Sequence, residues 1–252
     1  MVEVLRSEFL KLRSVRSTFW TLTAAVVFNL ALAALAAIFL PSRLSVQEKG
    51  TVDAIRLSLA GLHLSQIAFG VLGVLVMTSE YTTGLIRATL SAVPQRRLVL
   101  AAKATVFATT ALIVGTAASF AAYYLFQACL SDEGLKSSIN DPGVLRAVIG
   151  GGLYLAVLGL LGLGLGAIIR SSAGAIATLF GLLFVPPILL TLLPHTWQTT
   201  IGPYLPMDAG SQIFIAHQEP GGLGAWPGFT VFCGYAALAL VTGLVLINHR
   251  DA

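Results

Sequence analysis

The sequence predicts an all-α, polytopic membrane protein with about six transmembrane helices, and three observations carry that expectation. Of the 252 residues, 56% are hydrophobic and only 10% charged, against roughly 45–50% and 25% in an ordinary soluble domain. The apolar residues are gathered into six runs, at 19–40, 57–78, 99–130, 144–169, 173–193 and 226–247, each long enough for a hydrocarbon layer that needs about 20 residues per helix. The basic residues cluster between alternate runs, as they do when one side of a membrane retains positive charge. Transmembrane strands are a poor alternative, because barrel segments are short and alternate apolar with polar, whereas these runs are continuously apolar.

Ahead of the first run, Val2, Leu5, Phe9 and Leu12 recur at helical spacing while Arg6, Lys11 and Arg13 mostly take the other side. Residues 1–17 are therefore expected to form an amphipathic helix lying in the membrane interface. The first span contains Ala31-Leu32-Ala33 behind a basic flank, the outline of a secretory signal; its apolar run is too long for one and five more follow, so it is read as a retained span. Residues 41–56 form a polar connector.

The second span carries His63 and Gln66 one turn apart, and Gly70, Gly73 and Met77 continue that face. With Asn29 of the first span, His63 and Gln66 are the mid-span polar groups of note. The stripe fits a substrate path, a subunit interface or a packing face, and the sequence does not choose. The third span is longer than one crossing requires, which predicts tilt or an extension beyond the membrane. A connector over 131–143 ends in the turn signal Asp141-Pro142-Gly143. The fourth span is rich in glycine, and Gly162 and Gly166 have the spacing that lets two helices approach closely; whether the partner helix lies in this chain or in another subunit is open. Pro186-Pro187 removes two backbone donors from the fifth span and predicts a kink. Residues 194–225 mix Pro194, Pro203, Pro206 and Pro220 with apolar pieces such as 212–216, which predicts short helices dipping into the outer membrane surface before the last span.

Orientation follows from the cations. One set of alternate loops holds Arg6, Lys11, Arg13, Arg16, Arg87, Arg96, Arg97, Lys103, Arg170 and Arg250; the other holds Arg43, Lys49, Arg56, Lys136 and Arg146, along with most of the acids. Both termini are thus expected on the cytoplasmic side of a bacterial cell membrane. The net charge of +4 is explained by this asymmetry, and no basic stripe with interleaved aromatics points to nucleic acid.

Several chemistries are excluded. No phosphate-binding loop, HExxH or GxSxG pattern is present. His63, His195, His217 and His249 are scattered without ligand spacing, and Cys129 and Cys233 are not spaced as a metal or redox pair. Catalytic and metal sites are accordingly not expected. No Asp or Glu lies clearly inside a span, which argues against an ion-coupled carrier, since such proteins keep ionisable groups within the membrane. If this chain moves a solute, its energy arrives from elsewhere.

The segment joining the second and third spans, 79–97, reads Ser79-Glu80-Tyr81-Thr82-Thr83-Gly84-Leu85-Ile86-Arg87, followed by Val93-Pro94-Gln95-Arg96-Arg97. Glu, an aromatic, two residues, Gly, two residues and Arg, then Pro and a basic cluster before a long helix, resembles the first cytoplasmic loop of ABC transporter permeases of the type-2 export family. The leading segment Ser7-Glu8-Phe9-Leu10-Lys11-Leu12-Arg13 and the outer Tyr204-Leu205-Pro206 with Ala209-Gly210 resemble that family as well. The resemblance implies a short coupling helix, with Glu80, Tyr81, Gly84, Leu85 and Arg87 at its core, docking into a separate ATPase subunit that binds ATP and Mg. It further implies a second permease subunit, identical or homologous, and export of a hydrophobic or amphipathic substrate such as a drug, antibiotic, peptide or lipid. The competing expectations are an ion-coupled secondary carrier and a membrane scaffold that transports nothing.

Overall fold

The computed structural model describes residues 2–39, 54–93, 95–130, 136–217 and 222–249. Most of the connector 41–56, Pro94 in the 79–97 segment, the acidic part of the connector 131–143, Pro220 and Arg250 lie outside the described residues. Those described form eleven α-helices, two single 3-10 turns and no strand. In chain order the helices are α1 (Val2–Ser14), α2 (Arg16–Phe39), α3 (Ala54–Ser58), α4 (Leu62–Thr82), α5 (Leu85–Ala92), α6 (Arg96–Cys129), α7 (Val144–Ile169), α8 (Ser172–Leu190), α9 (His195–Ile201), α10 (Pro206–Ser211) and α11 (Ala225–His249). Six of them, α2, α4, α6, α7, α8 and α11, are long and apolar enough to cross a membrane, as a multi-pass membrane protein requires.

The central helix is α7. It is the most buried of the six and packs against α4, α6, α8 and α11. Glycine makes that position possible. At Gly73 on α4 a methyl group would run into the backbone of Gly159 on α7, and one at Gly162 would meet the carbonyl of Gly70. The two backbones therefore touch without side chains between them, the close approach that small residues allow between helices in lipid. Gly166 faces Val74 in the same crossing, so the partner of the Gly162 and Gly166 face lies within this chain. By contrast α2, α8 and α11 turn large apolar side chains outward, among them Phe28, Ile38, Ile188, Leu189, Leu238 and Val241. In water these would be a costly exposed patch; hydrocarbon covers them without penalty.

Helix ends differ from the sequence expectation where tertiary contacts intervene. The run expected at 57–78 is broken: α3 ends at Ser58, a turn follows, and α4 begins at Leu62. Gly61 sits in that turn pressed against the backbone of Asn29. At its other end α4 continues to Thr82, four residues past the apolar run, because Glu80 finds cationic partners there. α6 spans 34 residues, about 50 Å at 1.5 Å per residue, well beyond one hydrocarbon thickness. α8 runs through Pro186 and Pro187 as one helix and stops three residues later. Cys129 and Cys233 are both free thiols.

Between α8 and α11 the chain folds back as α9, the 3-10 turn Gly202–Tyr204, α10 and the 3-10 turn Gln212–Phe214. Ala209, Gly210, Ile213 and Phe214 are buried against α7 and α11. Arg146 pins this segment: its Nη2 donates to the carbonyls of Ile215 and Ala216 at 3.1 Å, and its Nη1 lies 3.4 Å from those of Gln212 and Ile213. Replacing Arg146 with Met keeps the aliphatic stem and removes every donor. The 206–216 segment should then lose its hydrogen-exchange protection selectively, at a cost of roughly 2–3 kcal/mol, while α7 stays protected; unchanged exchange would show that apolar packing alone holds it.

Candidate functional site

Four ionised side chains from three helices meet at one end of the bundle. Lys103, on the second turn of α6, is 2% exposed and donates to Glu8 Oε2 of α1 and to Glu80 Oε1 of α4, both at 2.7 Å. Lys11, one turn along α1 from Glu8, donates to Glu8 Oε1 at 2.7 Å and to the same Glu80 Oε1 at 2.8 Å. The result is a closed ring of two acids and two bases with no net charge. Each carboxylate would be costly to bury alone; alternating signs make burial tolerable. Glu80 Oε2 alone is enclosed without a donor.

Local sequence places each member. Glu8 and Lys11 are three apart on α1 and so share a face. That face is turned to the protein: Glu8 is the buried residue of α1 and Leu12, one turn on, packs against the core, while Val2, Phe9 and Leu10 are outside. Lys11 is half-exposed; burial on its own would lower its pKa, but the hydrogen bonds and charges of Glu8 and Glu80 outweigh it and hold the ammonium above its ordinary value.

Immediately after Glu80, the guanidinium of Arg170 lies 5.1 Å from the centre of the half-buried Tyr81 ring, within cation–π range. Arg170 ends α7 in the left-handed conformation at φ 60°, so Tyr81 ties the end of α4 to the end of the central helix. Gly84 then takes φ 72°, a conformation open to glycine at no steric cost, although a side chain there would meet nothing. This turn launches α5, eight residues long and amphipathic. Ile86 is buried beneath it, while Leu85 and Arg87 stand exposed. Thr89 Oγ1 comes within 3.5 Å of Lys11 Nζ. At the start of α6, Arg96 Nη1 donates to the carbonyl of Ile247 at 2.6 Å and so ties in the end of α11.

The sequence-predicted residues thus separate. Tyr81, Gly84, Leu85 and Arg87 are gathered around α5, with Glu80 behind them in the ion ring. Asn29, His63 and Gln66 do not form one site. Asn29 is wholly buried between α2 and α6, its Nδ2 3.5 Å from the Ala118 carbonyl. Gln66 is buried against α7 and accepts a hydrogen bond from the Tyr154 hydroxyl. His63 is exposed and touches the edge of Phe214. Gly70, Gly73 and Met77 are buried with Gln66, so four of the five positions on that stripe are interior to the chain.

Glu8, Lys11 and Lys103 escaped sequence reasoning as a site: there Glu8 and Lys11 belong to the amphipathic leading segment, and Lys103 to the cations that set orientation. A signal was available: Lys103 falls five residues inside the expected third span, where a charge needs a partner. The arrangement contains no nucleophile beside a base; what it does chemically is clamp α1, α4 and α6 behind an exposed short helix. No protein-family model matches the chain, and no curated protein matches it.

Proposed function

We propose that this chain is the membrane-spanning permease subunit of an ATP-driven exporter of the ABC type, located in a bacterial cell membrane with both termini cytoplasmic. The observation that carries the reading is α5: a short amphipathic helix between two long spans, entered through a left-handed glycine, anchored by Ile86 and presenting Leu85 and Arg87 outward. A coupling helix needs this combination, since force from a partner is passed on only through an element that protrudes and does not fold away. The ion ring and the Tyr81–Arg170 contact supply the rigid backing. In this reading Leu85 and Arg87 touch the ATPase, while Glu80 and Tyr81 hold the helix in place from behind.

The remaining parts follow from the same reading. α1, with Val2, Phe9 and Leu10 outward, lies in the cytoplasmic interface, and the pieces from α9 to the turn Gln212–Phe214 form the re-entrant outer segment. A second permease and two ATPase subunits complete the transporter. ATP and Mg are bound and ATP is hydrolysed by those partners, not by this chain. Substrates are hydrophobic or amphipathic. The placement of charge disfavours an ion-coupled carrier: among the described residues, the buried charged side chains are Glu8, Glu80 and Lys103, all in the ring at one end.

The test is co-purification of the tagged chain from its native membrane in mild detergent. A soluble ATPase is expected with the wild type, and its recovery should fall about tenfold or more in the Leu85→Asp, Arg87→Glu double variant, whose yield and melting temperature stay the same. Undiminished recovery would remove α5 from the interface. Absence of any ATPase from wild-type preparations in several detergents would overturn the transporter reading.

A further inference from the structure

The ion ring is neutral as a whole but uneven in how its oxygens are used. Glu8 offers one carboxylate oxygen to each lysine, whereas both lysines meet Glu80 at the same atom, Oε1. Glu80 Oε2 is left with no donor among the described residues, in a side chain only 6% exposed. Lys11 cannot turn to it without loss, because an ammonium has three donors and those of Lys11 are taken by Glu8, Glu80 and Thr89. Lys103 is held by Glu8 and by Oε1. An ionised oxygen enclosed without a donor is costly, more so than a neutral acceptor.

All four ring members line a cavity of about 440 Å³ between α1–α2 and α4–α6, within the roughly 300–1,000 Å³ of small-molecule sites. No other charged side chain lines it. Leu12, Leu72, Leu75 and Val106 give it an apolar wall, and Ser17 and Thr21 of α2 add neutral hydroxyls. The charges select a ligand by sign. An anion would be repelled by Oε2. A cation would answer Oε2 but share the cavity with the ammonium groups of Lys11 and Lys103 and with the first turn of α2, the positive end of its macrodipole. A neutral donor meets neither penalty. Its hydroxyl or amide N–H gives Oε2 the hydrogen bond it lacks, a strong one because the acceptor is ionised, and the leucine and valine wall receives an attached apolar body.

We infer that this cavity is the binding site of one small neutral amphiphile, with a hydroxyl or amide N–H donating to Glu80 Oε2 and an apolar body against Leu72, Leu75 and Val106. With that ligand in place every carboxylate oxygen of the ring has a donor. The site stands independently of the exporter reading, because it needs only the folded bundle.

Photolabelling of the purified full chain with a diazirine analogue of menthol, mapped by mass spectrometry, tests this. Label is expected on the peptides that carry Leu75 and Val106. Menthol and menthone share a skeleton, but only the alcohol donates, so their competition against the label separates head from body. On the wild type menthol should compete about tenfold better than menthone, the worth of one hydrogen bond to a charged acceptor. Glu80→Gln can set an amide NH₂ where Oε2 stood, a donor in place of an acceptor. The preference for the alcohol should then vanish or reverse, which a mere loosening of the cavity would not produce. Thr21→Trp, at a half-buried position outside the ring, fills the cavity and should abolish labelling; it keeps the test decisive where Glu80→Gln loses its fold. Equal competition by menthol and menthone on the wild type, or an unchanged preference in folded Glu80→Gln, would overturn the assignment to Glu80. Undiminished labelling of folded Thr21→Trp protein would overturn the site altogether.

Discussion

Lys103→Met is expected to destabilise the bundle by about 3–5 kcal/mol, the usual consequence of removing one partner from a buried ion pair. Lys103 is the only member of the ring that reaches both carboxylates from α6, at 2.7 Å each. Met has a similar shape, so the packing loss is small and the effect isolates charge. Without Lys103, the carboxylates of Glu8 and Glu80 face each other with Lys11 alone, and Lys11 is itself half-exposed. Thermal melting in detergent should show a much lower transition temperature. Adding Glu80→Gln to Lys103→Met removes one of the two opposed acids and leaves the Glu8–Lys11 pair intact, so at least half of the loss should return. That recovery is the sign of coupling within a network. A Lys103→Met protein that melts within about 0.5 kcal/mol of wild type, the range of an inconsequential surface change, would show that the ring is ornamental and that α1 is held by other contacts.

Gly73→Ala is expected to be nearly as severe, and for a different reason. A methyl group at Gly73 is directed at the backbone of Gly159, whose carbonyl carbon and Cα would lie within 3 Å of it. No side chain can rotate away, so α4 and α7 have to separate, and a cost of roughly 3 kcal/mol is the expectation for forced overpacking. Since α7 is the helix against which α4, α6 and α11 all pack, the shift is not absorbed locally. Gly162→Ala should behave alike, because it meets the Gly70 carbonyl; Gly166→Ala, 3.0 Å from the Val74 carbonyl, should be milder. Gly181→Ala and Gly234→Ala, where nothing lies within 4 Å, should be neutral or slightly stabilising through helix propensity. A flat response across these five positions, read as yield and melting temperature, would refute the backbone-contact account of the crossing.

The features behind these experiments were legible in the sequence to different degrees. The fourth span was read to the residue, 144–169, because Asp141-Pro142-Gly143 precedes it and Arg170 follows it, and both signals are local. The break at Gly61 was not read, because it depends on Asn29, more than thirty positions earlier, packing against that turn. Gly162 and Gly166 announced a close helix contact by spacing, but spacing carries no information about which helix comes to meet it. Glu80 and Lys103 were each visible as charges next to apolar runs, and α1 was visible as a helix. α1 turns Glu8 inward beside Leu12 and leaves Phe9 and Leu10 outside, so its apolar stripe is split between core and surroundings, unlike a helix in water whose whole stripe faces the core.

Read alone, the sequence determined the quantities that are sums over neighbouring residues: how many apolar runs there are, about how long each is, and between which of them the cations collect. These depend on transfer of a segment between water and hydrocarbon, which each segment settles for itself. The tertiary structure decided how each helix is rotated about its own axis, and with it the ion ring, the Tyr154–Gln66 bond, the glycine crossing and the cavity beside α2. Rotation costs a lone helix in lipid almost nothing, since hydrocarbon meets every apolar face equally. It is chosen only when helices meet, by backbone approach at glycine and by the need of each buried charge for its opposite.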